Sequence, residues 1–161
     1  VWGDVGDAAN FRRVWRSVVI GRMLGVDYGE VRVGLALSDP LGLTAQPLVT
    51  LQRLGDKQIC REIRDIVGEH RIVEIIVGMP LELSGKKGPS ALKVDAFVER
   101  LGRYVNIPIS TTDERLTSVA VERAFDEGQV KRKRRKEVVD QLAAVLILQG
   151  VLDLRSRDPI V

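Results

Sequence analysis

Apolar and polar residues alternate along the chain with two different periods. Near the start, three apolar runs lie at about 23 to 27, 31 to 38 and 44 to 51, and only short glycine- or proline-containing turns separate them. Turns of this length join antiparallel strands. The first third of the chain therefore predicts a three-stranded antiparallel meander.

After the meander the apolar period becomes helical. Ile59, Ile63 and Ile66 recur at helical spacing, and later segments alternate between strand and helix patterns. Strands that alternate with helices are joined by parallel crossovers, so the sequence predicts an α/β domain with a mixed sheet. The elements expected after the meander are a helix around 59–67, a strand at 72–77, a helix at 94–101, a strand at 107–111, and helices near 118–127 and 136–154.

Length and composition predict one domain with flanking segments. The chain has 161 residues, of which 45% are hydrophobic, enough for one ordinary core. Residues 1–21 follow neither period, and we expect them to be an N-terminal extension, poorly ordered or foreign to the native start. The domain is expected at 22–155, with 156–161 as a C-terminal tail.

The rarity of cysteine and histidine excludes several kinds of site. Cys60 is the single cysteine and His70 the single histidine, so an internal disulfide and a zinc cluster are both excluded. Any acid or base chemistry must come from aspartate and glutamate. No apolar run reaches the length of about 18 residues that a membrane span needs, and no signal peptide is convincing, so we expect a cytoplasmic protein.

Three carboxylates are candidates for a common site. Asp27 ends the first predicted strand and Glu114 follows the fifth, and in open sheets ligands bind beyond the carboxyl ends of parallel strands. Asp140, in the first turn of the predicted last helix, shares an inward helix face with Ala144 and Ile147. Two carboxylates about 4 Å apart repel by about 4 kcal/mol at an effective dielectric constant of about 20, a conflict that a divalent cation removes.

Oxygen ligands without histidine or thiolate favour Mg²⁺ or Mn²⁺, and such sites hydrolyse phosphodiesters. Each carboxylate also has a structural explanation. Asp27 could cap a turn, Glu114 could favour the start of the next helix, and Asp140 could be stabilised by the helix dipole. Asp39 and Asp113 are expected to be structural.

Basic residues indicate a polyanionic partner. The net charge is +3 and the isoelectric point is near 9.2. Six consecutive basic residues at 131–136 form what is expected to be a solvated loop, suited to contacting a phosphate backbone without reading sequence. The loop 78–90 is not a phosphate-binding P-loop, because six residues separate Gly78 from Gly85 where that motif has four. The candidate nucleic-acid-binding residues are Arg32, Lys86, Lys87, Arg115, Lys131, Arg132, Lys133, Arg134 and Arg135.

Four ordered motifs resemble a known family. They read GVDYGEVRVGLALSD at 25–39, VGMPLELSGKKG at 77–88, DERLTS at 113–118 and VVDQLAAVLILQGVLD at 138–153. Together they resemble the YqgF/RuvX family, the Holliday-junction-resolvase-like proteins also described as pre-16S ribosomal RNA nucleases. The resemblance covers roughly residues 22–154 and includes nothing before Gly21.

The resemblance implies a ribonuclease-H-like fold with sheet order 3-2-1-4-5 and a metal-dependent nuclease site. Its acidic motif positions match Asp27, Glu114 and Asp140, which it implies as catalytic and metal-binding residues. It implies cleavage at the 5′ end of the 16S rRNA precursor, with ribosomal precursor particles as possible partners, or action on four-way DNA junctions.

Two other classes of function remain alternatives from the sequence. One is a non-catalytic nucleic-acid-binding module. The other is a sugar-kinase-like or actin-like ATPase, which also uses an Asp-x-Gly turn, but such enzymes close two domains around the nucleotide and 161 residues hold one. The choice between RNA and DNA stays open, and Tyr28 is the only aromatic residue placed to stack on a base.

Overall fold

The computed structural model describes residues 21–114 and 132–157, with 132–140 and 157 described by their backbone alone. The N-terminal extension, the helix expected near 118–127, and the candidate residues Arg115 and Lys131 lie outside the described residues. No described helix is long and apolar enough to cross a membrane.

A five-stranded mixed sheet forms the centre of the fold. Its order is β3-β2-β1-β4-β5, as the family resemblance implied. The first three strands form the antiparallel meander, whereas β4 is parallel to β1 and β5 is parallel to β4. The strands are β1 Arg22–Tyr28, β2 Arg32–Ser38, β3 Ala45–Gln52, β4 Ile72–Met79 and β5 Ile109–Asp113.

Three described helices pack on this sheet. They are α1 Asp56–His70, α2 Pro89–Leu101 and α3 Arg132–Arg157. The last helix begins before the expected residue 136, so the expectation of a loop is wrong for the basic residues 132–136. Lysine and arginine are good helix formers, and no glycine or proline interrupts this stretch. Asp140 consequently lies two turns into α3 and not in its first turn.

The two faces of the sheet carry separate apolar cores. Leu24 and Val26 of β1 contribute to the core under α1 and α2, in which Cys60 is buried as a small apolar side chain. Met23 of β1 and Ile76 of β4 belong to the smaller core under α3. Because successive side chains of a strand point to opposite faces, the odd-numbered β1 residues and the β4 residues Glu74, Ile76 and Gly78 face α3.

The direction of α3 across the sheet is fixed at two places. The Arg155 guanidinium donates two hydrogen bonds to Glu74, with Nη1 to Oε2 at 2.7 Å and Nη2 to Oε1 at 2.8 Å, and Nη1 also lies 3.8 Å from the Met23 sulfur. Earlier in the helix, the Ala144 carbonyl oxygen lies 2.8 Å from the position that a Cβ would take at Gly25. The helix therefore runs antiparallel to β1, and its N-terminal part extends toward the end of that strand.

Candidate active site

Asp27 lies near the carboxyl end of β1 on the face that α3 covers. It pairs with Gly34 of β2 and is half-buried. Strand alternation places it on the same face as Met23 and Gly25. A tight turn follows, in which the Gly29 amide donates to the Arg32 carbonyl at 3.0 Å. Asp27 therefore occupies the edge at which ligands bind in sheets of this type.

Glu114 reaches the same face from the neighbouring part of the sheet. It follows β5 directly, and its amide donates to the Met79 carbonyl at 3.2 Å. Its Oε2 lies 2.5 Å from the position that a Cβ would take at Gly78, and the Ile147 Cδ1 is equally close to that position. The absence of a side chain at Gly78 leaves the space that the Glu114 carboxylate and α3 occupy.

The strand register brings Asp27 and Glu114 close together. Val26 pairs with Val77, so the next residues, Asp27 and Gly78, lie side by side on adjacent parallel strands. Adjacent strands are about 4.8 Å apart. The Glu114 carboxylate, over Gly78, is therefore about one strand spacing from the backbone of Asp27.

Burial perturbs the Glu114 carboxyl. Its pKa is raised above the ordinary value of 4.5, first because burial removes water from the charged form and second because of the negative charge of Asp113. A bound cation would oppose both effects. Asp27 and Glu114 offer only hard oxygen ligands, which fit Mg²⁺ or Mn²⁺. Within residues 21–114 and 132–157, no group of three or more histidine, cysteine, aspartate or glutamate side chains is placed to hold a metal.

The third predicted carboxylate belongs to α3. The Asp140 backbone lies one helical turn before Ala144, the residue whose carbonyl approaches Gly25. Its side chain lies outside what the structure describes.

Asp39 has the structural role expected for it. Its carboxylate accepts backbone hydrogen bonds from Leu41, Leu43 and Thr44 at 3.1, 2.7 and 2.8 Å. These bonds lower the pKa of the carboxyl, with the Thr44 bond contributing most. Asp39 thus caps the turn between β2 and β3.

The described basic candidates lie around the same sheet edge. Lys86 and Lys87 belong to the loop after β4, where the Lys87 ammonium pairs with Asp95 at 2.9 Å and Lys86 is exposed. Arg32 begins β2. Residues 132–135 form the first turn of α3, with their side chains outside the description.

Tyr28 is not available to stack on a base, which corrects the expectation from the sequence. Its ring stacks on Phe97 with centroids 4.2 Å apart, and the Arg53 guanidinium lies 4.4 Å from the centroid. Two groups this close cannot share one face of the ring. Its hydroxyl donates to Asp56 at 2.7 Å. Both faces and the hydroxyl are therefore occupied by the protein.

Sequence reasoning missed Arg53, Asp56 and the packing role of Gly78. Arg53 and Asp56 lie in a polar segment between a strand and a helix, with no motif or period to mark them. For Gly78 the signal was a glycine directly after a buried apolar run, which is typical of a close approach to the strand.

Comparison with known proteins places the chain among bacterial relatives. A protein of Clostridium kluyveri (strain NBRC 12016), named "Putative pre-16S rRNA nuclease", is 41% identical over 136 residues, which cover 84% of this chain and 99% of that protein. A protein of Rhodococcus opacus (strain B4) with the same name is 46% identical over 142 residues, covering 85% of this chain and 80% of the relative.

Solved structures support the fold. The structure of Thermus thermophilus RuvC in complex with a Holliday junction substrate matches with a TM-score of 0.54 at 16% identity, covering 84% of this chain and 96% of that one. This likeness establishes the ribonuclease-H-like architecture. The family model described as "RuvX: Holliday junction resolvase" matches residues 21–154. Since this match spans the whole sheet and α3 up to residue 154, and the curated relatives exceed 40% identity, the chain belongs to the RuvX family.

Proposed function

We propose that this protein is a metal-dependent endonuclease that hydrolyses phosphodiester bonds at the 5′ end of the 16S rRNA precursor, in the cytoplasm. The observation that carries the proposal is the pair Asp27, near the carboxyl end of β1, and Glu114, directly after β5, whose carboxylate lies over Gly78 of the intervening strand β4 on the same face of the sheet. The RNA substrate is proposed from the names of the curated relatives.

Asp140 is the third proposed ligand, on the basis of the helix path. Residues 144 and 140 are roughly 6 Å apart along the axis of α3, at 1.5 Å per residue. From Gly25 to Asp27, β1 advances by nearly the same distance, roughly 6.6 Å. The two elements are antiparallel, and the Ala144 carbonyl and the Leu148 Cβ both lie 2.8 Å from the position of a Cβ at Gly25, so α3 leads from Gly25 toward the level of Asp27 as its residue numbers fall. Asp140 is proposed as a ligand on the basis of this path.

Asp27, Glu114 and Asp140 would hold the metal ion, Mg²⁺ or Mn²⁺, which when bound would supply Lewis-acid stabilisation of the phosphate and activation of the attacking water. Asp27 and Glu114 contribute fixed oxygen ligands on a rigid sheet. The Ile147 Cδ1 and the Glu114 Oε2 occupy the space above Gly78 together, each 2.5 Å from the position that a Cβ would take there.

Basic residues are proposed to position the nucleic-acid backbone. Lys86 and Lys87 lie in the loop after β4, at the edge that carries Asp27. Arg32 and the first turn of α3 add positive charge, as would Arg115 and Lys131. Contacts of this kind bind phosphate without sequence preference and weaken with salt.

A cleavage assay tests the proposal. Wild type, Asp27→Asn, Glu114→Gln and Asp140→Asn are incubated with a 5′ fragment of precursor 16S rRNA in Mg²⁺, Mn²⁺ or EDTA. We expect metal-dependent cutting by wild type and a loss of at least about 100-fold in each variant, since each removes a ligand charge. Asp65→Asn is the matched control, because Asp65 is an exposed α1 residue whose one ion pair within the described residues is with Arg64 at 3.4 Å. Cutting that survives in Asp27→Asn would contradict the proposed site.

A four-way DNA junction is the second candidate substrate. The family model that matches this chain is described as a Holliday junction resolvase. The same five proteins, with Asp65→Asn again as the control, are therefore tested on a junction of matched length and label. Faster metal-dependent cutting of the junction than of the RNA would assign the DNA substrate, and binding without cutting of either would favour a non-catalytic binding module.

A further inference from the structure

The face of the sheet opposite α3 carries a cluster of two aromatic rings and one ion pair, directly behind Asp27. It consists of Tyr28, Arg53, Asp56 and Phe97, and we name it the Arg53 clamp. It joins the end of β1, the segment after β3, the start of α1 and the middle of α2. None of its members is among the proposed metal ligands or phosphate-binding residues.

Arg53 holds the turn that follows Asp27 at several points. Its backbone amide donates to the Val31 carbonyl at 2.9 Å, and its Nη1 lies 3.3 Å from the carbonyl oxygens of both Gly29 and Glu30. Its guanidinium also covers the Tyr28 ring. A single side chain thus contacts three consecutive residues, 28–30, immediately after the proposed ligand.

The rest of the clamp holds Arg53 itself. The Asp56 Oδ1 accepts from the Arg53 Nε at 3.2 Å and from the Tyr28 hydroxyl at 2.7 Å, while its Oδ2 lies 3.5 Å from Arg100 Nη1. The side chains of Arg53 and Asp56 are only 22% and 18% exposed. The planar guanidinium makes all these contacts at once, which a lysine ammonium cannot do.

The clamp acts on Asp27 through strand geometry. Tyr28 points to the α1 and α2 face, where Phe97 and Arg53 enclose its ring. Because neighbouring side chains of a strand point to opposite faces, a fixed Tyr28 directs Asp27 to the α3 face. Groups that hydrogen-bond directly to a metal ligand commonly change metal affinity by 10- to 100-fold when they are removed. Arg53 acts one residue further from the ligand, so we expect an effect at the lower end of that range.

We propose that Arg53 is a positioning residue, which fixes the Asp27 carboxylate for the divalent cation through Tyr28 and the turn at 29–31. This inference rests on the proposed function for the cation but not for the substrate. The sign of the change in cation affinity distinguishes positioning by Arg53 from a simple charge effect. Removal of a nearby positive charge alone would strengthen binding of a cation, whereas loss of positioning weakens it.

The test measures Mn²⁺ binding directly, by the electron paramagnetic resonance signal of the free ion, in the full chain. We expect Arg53→Met to bind Mn²⁺ about tenfold more weakly than wild type, with Arg53→Lys also weakened although it keeps the charge. Arg64→Met is the control, since it removes one positive charge from an α1 residue that is half exposed and, in the part of the chain that the structure describes, forms an ion pair with Asp65 alone. Its affinity is expected to stay within twofold of wild type.

A second measurement keeps the inference separate from the metal proposal. Backbone hydrogen exchange reports on the Gly29 amide, which donates to Arg32 within the turn. We expect at least tenfold faster exchange there in Arg53→Met, and no change in Arg64→Met, in the absence of metal. Thermal unfolding of each variant sets a temperature at which all are folded.

The outcomes separate the two proposals. Mn²⁺ affinity that is unchanged or higher in Arg53→Met, while Asp27→Asn abolishes binding, overturns the positioning role and leaves the metal site intact. Absence of Mn²⁺ binding in wild type instead contradicts the metal-dependent function. In that case the hydrogen-exchange measurement alone tests whether Arg53 fixes the turn. Unchanged exchange of the Gly29 amide in Arg53→Met would overturn this role of Arg53.

Discussion

Substitution of Gly78 by alanine tests whether the Glu114 carboxylate must lie over β4. The new methyl group would lie 2.5 Å from Glu114 Oε2 and 2.5 Å from Ile147 Cδ1. Ordinary contacts of a Cβ begin near 3.4 Å, so each neighbour must retreat by about 1 Å. The backbone itself tolerates alanine, because Gly78 is not among the residues with positive φ in the described chain.

Two effects of different size follow from this displacement. Overpacking against Ile147 should lower the free energy of unfolding by about 1–3 kcal/mol. Movement of a proposed ligand by about 1 Å should lower metal-dependent cleavage by about 100-fold. The assays are chemical denaturation and cleavage of the precursor 16S rRNA fragment, both at a temperature where the variant remains folded.

Two further variants separate these effects. Gly150→Ala adds a methyl group to α3 with nothing within 4 Å, so it should stabilise the helix by about 0.5–1 kcal/mol and leave cleavage unchanged. The double variant Gly78→Ala/Ile147→Val removes the clashing Cδ1, and it should recover part of the stability but not the activity. If Gly78→Ala cleaves at the wild-type rate, the Glu114 carboxylate does not act from its position over Gly78.

Three other predictions concern pH, helix anchoring and salt. The raised pKa of Glu114 means that the folded state holds this proton more tightly than the unfolded chain, so its contribution to stability falls as pH rises from the ordinary value of 4.5 through the folded pKa. In EDTA, unfolding of Glu114→Gln should lack that decline, and parallel curves for the two proteins would argue against the burial of the charge. Arg155→Met removes two hydrogen bonds to Glu74 and should lower the free energy of unfolding by about 1 kcal/mol, because Arg155 is half exposed. The control Arg103→Met removes an exposed pair with Glu99 at 3.6 Å and should lower it by less than about 0.5 kcal/mol. Nucleic-acid binding should weaken steeply with salt, with a smaller salt slope in Lys86→Met than in wild type, and equal slopes would remove Lys86 from the phosphate-binding set.

The sheet could be predicted from the sequence because its signals are local. Short turns at 29–31 and 39–44 require antiparallel neighbours, and the alternation of helix and strand after residue 59 requires parallel crossovers. Strand order came from the family resemblance and is confirmed. The predicted start of α3 was wrong because a run of basic residues resembles a solvated loop, although lysine and arginine favour a helix once one has formed.

The surroundings of the candidate site could not be predicted in the same way. The place of Asp27 at a strand end is a local property, but the partners of Tyr28 come from α1, α2 and the segment after β3. These contacts depend on side chains that are distant in sequence and carry no period. Tyr28 therefore appeared to be available for a base, while in the fold it belongs to the core behind the site.

The geometry of the proposed metal site depends on contacts in the middle and at the C-terminal end of α3. At one end, Arg155 and Glu74 hold the helix beside the start of β4. In the middle, Gly25 and Gly78 let the helix approach the sheet closely enough for Ile147 to contact the space beside Glu114. Asp27 and Glu114 are carried by the rigid sheet, whereas Asp140 is carried by the helix. The distance between Asp27 and Glu114 on one side and Asp140 on the other is therefore set by residues outside the proposed ligand set, and these residues should tolerate substitution less well than the exposed basic residues around the site.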